Sequence, residues 1–437
     1  MAVYEDREAF IPYRRSDLIE LCVEDGKLAH AEVPKFREFC AILCAYYHFE
    51  FHASLETLKD NYAPFNPDAD TDFRIEPSPP QLAAMESKVV RAFHRILERA
   101  NYKPLSQANL ERAFEEKSLI ELKTHVDFDE FDQMVCYCRG DIYKIISVKK
   151  WFRNVQQTID VFERMVLLLK FKNADYFKSK GAKLEKLNFT PGKMYAYYYK
   201  NIPKFDLEFL FPNVKTSMTW KDRLLFGIPA IGAAVPLLGR ILPQLLLIVG
   251  AILVVLGGVS GLSELEVEEE QVRNVMPVLV AMLSLVITLG GFAFKQYTSY
   301  KNKEIKFQKN VTETLFFRNL ASNANVFQAL VDAAEEEECK EIILVYYHLL
   351  TSGETLTPSE LDDRIETWMD ETFEKKIDFD INGPVENLQA IRGKISADGE
   401  EVPLLSFDDR GACQVLSLDE AKSAIDYLWD NAFLYTK

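Results

Sequence analysis

The sequence lacks a Walker A loop, a dinucleotide glycine fingerprint, a His-Glu-x-x-His pair and a nucleophile elbow. Those absences remove the common phosphate-binding, nicotinamide-binding, zinc-peptidase and α/β-hydrolase signatures. An enzyme is not thereby excluded, because catalytic triads are set by geometry and not by chain order; the reading nevertheless leans away from one, and no cofactor is expected. Cysteine is sparse: Cys22, Cys40, Cys44, Cys136, Cys138, Cys339 and Cys413 are an odd, scattered set. With no framework spacing they read as reduced thiols in a cytosol-like compartment. The first residues, Met1 to Glu8, hold neither an apolar signal core nor an Arg/Ser-rich amphipathic stretch, so no cleaved presequence is expected.

Basic charge is also in short supply where it would matter for nucleic acid. The chain carries a net −16, and Val331 to Lys437 alone holds 26 acidic against 9 basic side chains. The rest is therefore close to neutral. An acidic terminal region argues against nucleic acid and anionic lipid as its partners, since both select basic surfaces.

Long apolar runs, by contrast, are present. Ile241 to Leu262 and Val275 to Phe294 are uncharged runs of 22 and 20 residues, and about 20 suffice for a helix to cross a bilayer. They predict a two-helix transmembrane hairpin around the acidic loop 263–274. Lys221 and Arg223 precede the block, and Lys295, Lys301, Lys303, Lys306 and Lys309 follow it. The positive-inside rule then puts both flanks on the cytoplasmic side. Residues 224–240, broken by Pro229 and Pro236, are expected to be an interfacial or re-entrant apolar segment, with a third span as the alternative. No acid or lysine lies inside either run, which speaks against transport.

The flanking regions read as α+β. In 1–223, Phe36, Cys40, Leu43, Tyr47, Phe51, Leu55, Leu58 and Tyr62 recur at spacings of three and four, which predicts one helix over 33–62. A second helix is expected over 81–100. A small antiparallel sheet is expected within 131–200, from runs at Met134–Cys138, Ile142–Val148, Val161–Lys172 and Met194–Tyr199. A helical connector, 295–350, is expected to break near Ser322-Asn-Ala-Asn325. The acidic remainder, 351–437, has capping boxes at Thr357-Pro-Ser-Glu360 and Ser417-Leu-Asp-Glu420, and a hairpin around Asp408-Asp-Arg-Gly411. Helices expected at about 326–350, 358–373 and 384–392, followed by that two-stranded hairpin, are in the order of a winged helix, and the acidic character suits a protein partner better than DNA.

With these segments placed, several stretches carry a resemblance. They are Phe10-Ile-Pro12, Glu50-Phe-His52 leading to Leu58-Lys59 and Tyr62-Ala-Pro-Phe-Asn-Pro-Asp68, the run Tyr199 to Pro212, Asn319-Leu320, and Glu338-Cys-Lys-Glu341. The chain resembles a family of membrane proteins of bacteria and organelles, labelled domain of unknown function 3754, with transmembrane protein 143 of mitochondria as its animal member. Asn66 stands where that pattern leads one to expect Asp. The resemblance implies a membrane location and supplies no activity and no catalytic residue; the missing presequence suits a bacterial member.

Candidate sites are weak. Cys40, Cys44, His48 and His52 form an i, i+4 ladder that could contribute metal ligands, but the same positions border the apolar stripe, where cysteine packs as a small hydrophobe. Asn66, Asp68, Asp70 and Asp72 alternate like a calcium loop but lack its glycine and its closing glutamate; a self-bonded turn fits better. Asp127 and Asp129 carry no following threonine for a phosphatase nucleophile. Cys136 and Cys138 share one face of a strand and read as core. Glu335 to Glu338 read as a solvated helix face, and Tyr197 to Lys204 as a segment that seats the sheet on a bilayer or senses its headgroups.

The expectation is therefore an integral, two-span protein of the bacterial inner membrane with both termini cytoplasmic. Its partners would be the bilayer and a protein that meets the acidic C-terminal region, with homo-oligomers possible and nucleic acid excluded. It would act as a non-enzymatic interaction or scaffold protein. Two alternatives are a metal-assisted enzyme using His52, Asp68 and Asp70, and an oligomeric channel or transporter.

Overall fold

The computed structural model describes residues 8–115, 123–150, 153–217, isolated positions between 287 and 312, and 315–431 apart from 397. One compact unit gathers Met1–Glu115, Phe128–Leu207 and Arg318–Lys437; a second gathers Glu116–Asp127 and Glu208–Phe317.

The first unit opens with α1 (Arg15–Glu24), α2 (Val33–Tyr62), α3 (Pro79–Arg99), β1 (Lys103–Pro104) and α4 (Gln107–Glu115). The stripe read in the sequence is the buried face of α2, with Phe39 added to it. Pro34 near the start of α2 suits a first turn whose N–H groups lack helical partners. At α3 the side chain of Gln81 reaches back to the backbone N–H of Ser78 at 2.8 Å.

The sheet runs β1-β3-β4-β5-β7, antiparallel throughout, where β3 is Phe131–Lys150, β4 Arg153–Phe171, β5 Met194–Pro203 and β7 Asn319–Ser322. Within the second unit, β2 (Lys123–His125) pairs with β6 (Lys215–Ser217). β3 and β4 form one long hairpin, from Phe131 opposite Phe171 to Lys150 opposite Arg153. Alternate residues Val135, Tyr137, Val166, Leu168, Met194, Ala196 and Tyr198 turn one face toward the helices. β4 is apolar on both faces near its end, because Phe171 also packs flat on Phe189, beside the short helix α5 (Ala174–Ser179).

From β7 the chain turns at Asn323 into α6 (Ala324–Thr351). Asn323 sits at φ 51° and ψ −127°, an uncommon conformation for a side-chain-bearing residue. Its side chain holds it there: Nδ2 donates to Asp68, and Oδ1 accepts from the N–H of Ala196 and from the hydroxyl of Tyr62. Tyr62 also donates to the carbonyl of Met194 at 2.6 Å. The motif Tyr62 to Asp68 therefore clasps the junction of sheet and central helix.

α6 is the core. Every residue from Glu337 to His348 is buried, the pattern of a helix enclosed on all sides. α1, α2 and α3 pack against it, as do α7 (Pro358–Phe373) and α8 (Asn382–Ala390). Two-stranded ribbons follow, β8 (Arg392–Lys394) with β9 (Glu401–Pro403) and β10 (Leu405–Phe407) with β11 (Cys413–Val415), and α9 (Leu418–Asn431) closes the chain. Thr357 and Glu360 cap α7, and Ser417 and Glu420 cap α9, reciprocally.

Two expectations are corrected. The fold is α+β with a five-stranded antiparallel sheet, larger than the small sheet expected, because β1 and β7 add edges from outside residues 131–200. The membrane architecture is not supported. Among the described residues no helix is long and apolar enough to cross a membrane, and the longest, α2 and α6, are broken by charges such as Arg37, Glu38, Glu50, Glu337 and Lys340. On that finding the two-span integral architecture and the inner-membrane placement with cytoplasmic termini are not supported. Residues 224–240, 241–262 and 263–274, and most of 275–294, lie outside the described residues.

Candidate functional site

Four consecutive glutamates on a helix point all round it, and in α6 each finds its own partner. Glu337 and Lys340 are 1 % exposed and form an ion pair. Lys340 Nζ also donates to the carbonyl of Ile11, whose N–H donates back to Glu337 at 3.2 Å. Glu338 binds the Arg99 guanidinium through both oxygens and accepts from Asn387 Nδ2 at 2.8 Å. Glu341 accepts from Asn101 Nδ2 at 2.6 Å. The solvated face expected for Glu335–Glu338 is thus half wrong: Glu337 and Glu338 are interior. Burial pushes all three carboxyls (Glu337, Glu338, Glu341) up; Lys340 opposes this at Glu337 and Arg99 at Glu338. Glu341 lies well above the carboxylate range, with Glu337, Glu338 and Asp380 adding to the effect of burial.

The stretches Phe10-Ile-Pro12, Glu50-Phe-His52 and Glu338-Cys-Lys-Glu341 meet in this belt. Arg99 Nη1 donates to Glu50 at 3.2 Å and its guanidinium lies 4.0 Å from the Phe51 ring centre. Lys340 and Arg139 both lie against the Phe10 ring. These groups are spent on one another, which makes the belt structural joinery.

Two open features border it. The first is a cleft of about 600 Å³ lined by Arg15, Arg37, Cys40, Cys44, His48 and Glu335 among others. Cys44 is half-buried at its wall, and Cys339 is fully buried on α6. Arg15 Nη1 stands 3.6 Å from Cys339 Sγ and 3.4 Å from Glu335 Oε1. Cys339, and then the charge of Arg15, hold the Cys44 thiol below its ordinary range against the opposing effect of burial. The other six thiols are pushed up; at Cys22, Cys40, Cys136, Cys138 and Cys413 burial is the main cause, and at Cys339 the main cause is Cys44.

The second is a groove, also of about 600 Å³, between α2, α3 and α9. Tyr46, Phe49, Ile96, Leu428 and Trp429 line it, with Arg95, Arg99 and Glu50 at its polar end. The rings of Phe49 and Trp429 lie 5.7 Å apart. Arg95, exposed on α3, is a cation in the groove's lining in an otherwise acidic chain.

The sequence-level metal candidates do not converge. His48 is exposed and its Nδ1 lies 2.9 Å from Glu335 Oε2. His52, Asp68, Asp70 and Asp72 are exposed, and Asp68 is engaged by Asn323. Among the described residues no three His, Cys, Asp or Glu side chains are placed to hold a metal ion. Asn66 Oδ1 accepts from the N–H of Asp68 at 3.1 Å, the self-bonded turn that the loop composition suggested. Tyr197 to Lys204 is joinery as well: Tyr198 meets the hydroxyl of Tyr102 at 3.0 Å, and Lys204 pairs with Asp141 at 2.8 Å. Arg15, Arg99 and Cys339 gave no sequence signal, since their partners are remote in the chain; Leu428 and Trp429 could be read only as the apolar side of the last helix.

Residues 162–325, from within β4 to the first turn of α6, match a family described as protein of unknown function (DUF3754). The match supports a domain of unknown function and does not extend to a membrane location or to the likeness with mitochondrial transmembrane protein 143. No solved structure matches the chain.

Proposed function

We propose that this protein is a non-enzymatic interaction module, and that the groove between α2, α3 and α9 receives an amphipathic helix with acidic flanks from a protein partner. The observation that carries this reading is the pairing of half-exposed aromatic walls, Phe49 and Trp429, with the exposed cation Arg95 at one end. Aromatic and arginine side chains around a desolvated pocket are the usual anchors of protein–protein contacts, and an apolar helical stripe in a groove is a recurrent mode. The charge contrast selects the partner. The chain is acidic overall, while the groove is lined by the exposed cation Arg95, so an acidic helix is attracted there and repelled by most of the remaining surface. α9 belongs to the acidic C-terminal region, so this reading keeps that region in the interface while moving the attraction to its basic neighbour.

A displayed library of helical peptides, selected against the full chain, tests it. Enriched peptides should carry apolar residues at i, i+3 or i+4, and i+7, beside acidic ones. Their affinity should fall about tenfold or more in Trp429→Ala, and fall with added salt and with Arg95→Glu. Peptides without that pattern, or binding that is indifferent to Trp429 and Arg95, would sink the proposal; selection of this chain's own acidic segments would identify a second copy as the occupant.

A further inference from the structure

We propose that two copies of this chain pair through the outer edge of β3, antiparallel about a two-fold axis at Ile145, so that two hairpins become one four-stranded sheet. This inference stands apart from the groove and uses none of its residues.

The edge is open over the second half of the strand. β1 covers β3 only at Tyr137 and Cys138, and β5 leaves β4 at Val161. Beyond Gly140, β3 and β4 pair with each other and, among the described residues, with no third strand until Val161. A two-stranded ribbon is marginal in water by itself, and further strands stabilise it. One face of this ribbon is also bare: Tyr143 is 76 % and Ile145 70 % exposed. Proteins that avoid edge pairing blunt the strand with charges or proline. Ile142-Tyr-Lys-Ile-Ile-Ser-Val148 has no proline and one charge, Lys144, which is engaged by Asn201 at 2.5 Å.

The backbone points the right way. Gly140, at φ 71°, is passed over in the ladder with β4, and the N–H of Asp141 donates to Glu8 Oε1 at 3.4 Å instead of to β4. At the far end Lys150 lies opposite Arg153, and so tight a hairpin closes on a mutually bonded pair. Alternation then directs the N–H and C=O groups of Tyr143, Ile145 and Ser147 away from β4. A two-fold axis normal to the sheet keeps each face on its own side, so odd-numbered residues meet odd-numbered ones. Centred on Ile145, it sets Tyr143 opposite the partner's Ser147 and Asp141 opposite the partner's Lys149.

Charge selects a second copy as the occupant. The base of the ribbon carries Glu8, Asp141 and Asp160 against Lys204, which lies 2.8 Å from Asp141 and 3.9 Å from Asp160. The tip carries Lys149, Lys150 and Arg153. Antiparallel pairing brings each basic tip to the other copy's acidic base, a match that an unrelated strand does not supply. On the bare face, Ile145 meets Ile145 across the axis and Tyr143 is its diagonal neighbour, both within reach for cross-strand packing. The contact is isologous, so it closes at two copies.

The test uses the full chain. Its mass by light scattering should double as concentration rises, and hydrogen exchange in peptides spanning 141–149 should slow in step with the doubling. Ile145→Lys sets two ammonium groups across the axis and should abolish the dimer while leaving the melting point of the monomer in place, since Ile145 is exposed there. Lys149→Glu sets like charges across the strands twice and should raise the dissociation constant about tenfold. A chain that stays monomeric, or a dimer without added protection at 141–149, would overturn the proposal. So would a dimer that survives Ile145→Lys; if Trp429→Ala then abolishes it, the second copy sits in the groove.

Discussion

The ammonium of Lys340 lies 2.6 Å from the carbonyl oxygen of Ile11, a residue 329 positions earlier. Together with Glu337 it pins the N-terminal segment to the middle of the central helix, where neither charge meets water. Removing one member of such a pair leaves the other uncompensated, at a cost of about 3–5 kcal/mol. Lys340→Met should therefore lower the urea midpoint severely. Adding Glu337→Leu should recover part of the loss, though not the bond to Ile11 N–H. Equal loss in single and double variants would show that the pair's charge is not the cause.

Glu341 behaves oppositely. Burial, reinforced by its acidic neighbours, pushes its carboxyl well above the usual carboxylate range, so a neutral amide is the milder substitution here. Glu341→Gln should change stability at pH 7 by less than about 1 kcal/mol, measured by urea unfolding. Glu338→Gln, which weakens a charge-assisted bond to Arg99, should cost more. A reversed order would place the negative charge on Glu341.

Two buried groups bend the pH profile in opposite senses. Burial, then Glu366 and Asp363, pushes Asp362 up to about 7. Its folded-state value lies above the unfolded one, so its contribution is complete below about pH 4 and is lost as pH rises through 7. His348 is buried between Tyr347 and Trp368 and is held down to about 3, by burial and then by Arg364 and Lys27. Its contribution is present above about 6.5 and is lost as pH falls toward 3. Asp362→Asn should flatten the decline between pH 4 and 7 in a series of thermal melts, and His348→Phe should flatten the acid side. Unchanged curves would refute each assignment separately.

Gly393 on β8 is set by a neighbour's backbone. A Cβ there would lie 1.9 Å from the carbonyl oxygen of Ala424 on α9, which no rotamer change can relieve. Gly393→Ala should destabilise by about 1–3 kcal/mol or more. Gly383, in the first turn of α8, has open space around it, so Gly383→Ala should be neutral or stabilising by about 0.5–1 kcal/mol. Equal melting points for the two variants would mean that α9 does not pack on β8 as described.

Local order was legible in the sequence wherever local physics decides it. The stripe from Phe36 to Tyr62 is the buried face of α2, and Thr357 and Ser417 cap the helices that their boxes announced. Asp408 turns its carboxylate to the N–H groups of Arg410 and Ala412, as the Asp-Asp-Arg-Gly turn suggested. What escaped is non-local. A charge run on a helix is usually solvated, and nothing near Glu335–Glu341 discloses that Arg15, Arg99 and Asn101 are waiting for it. Hydropathy weighed Ile241–Leu262 and Val275–Phe294 by composition and length alone; nearly all of both runs lies outside the described residues, and among those no helix is long and apolar enough to cross a membrane.

The central helix has a consequence for the order in which the molecule can be made. α6 carries the core, yet it follows the strands and helices that it joins and is separated from them by the long segment after β6. A ribosome therefore releases α2, α3 and strands β1 to β5 well before their common partner exists. Until residue 351 emerges, the faces of α2 and α3 that pack on α6 lack that partner, and a nascent chain stalled at that stage presents the kind of surface that chaperones bind.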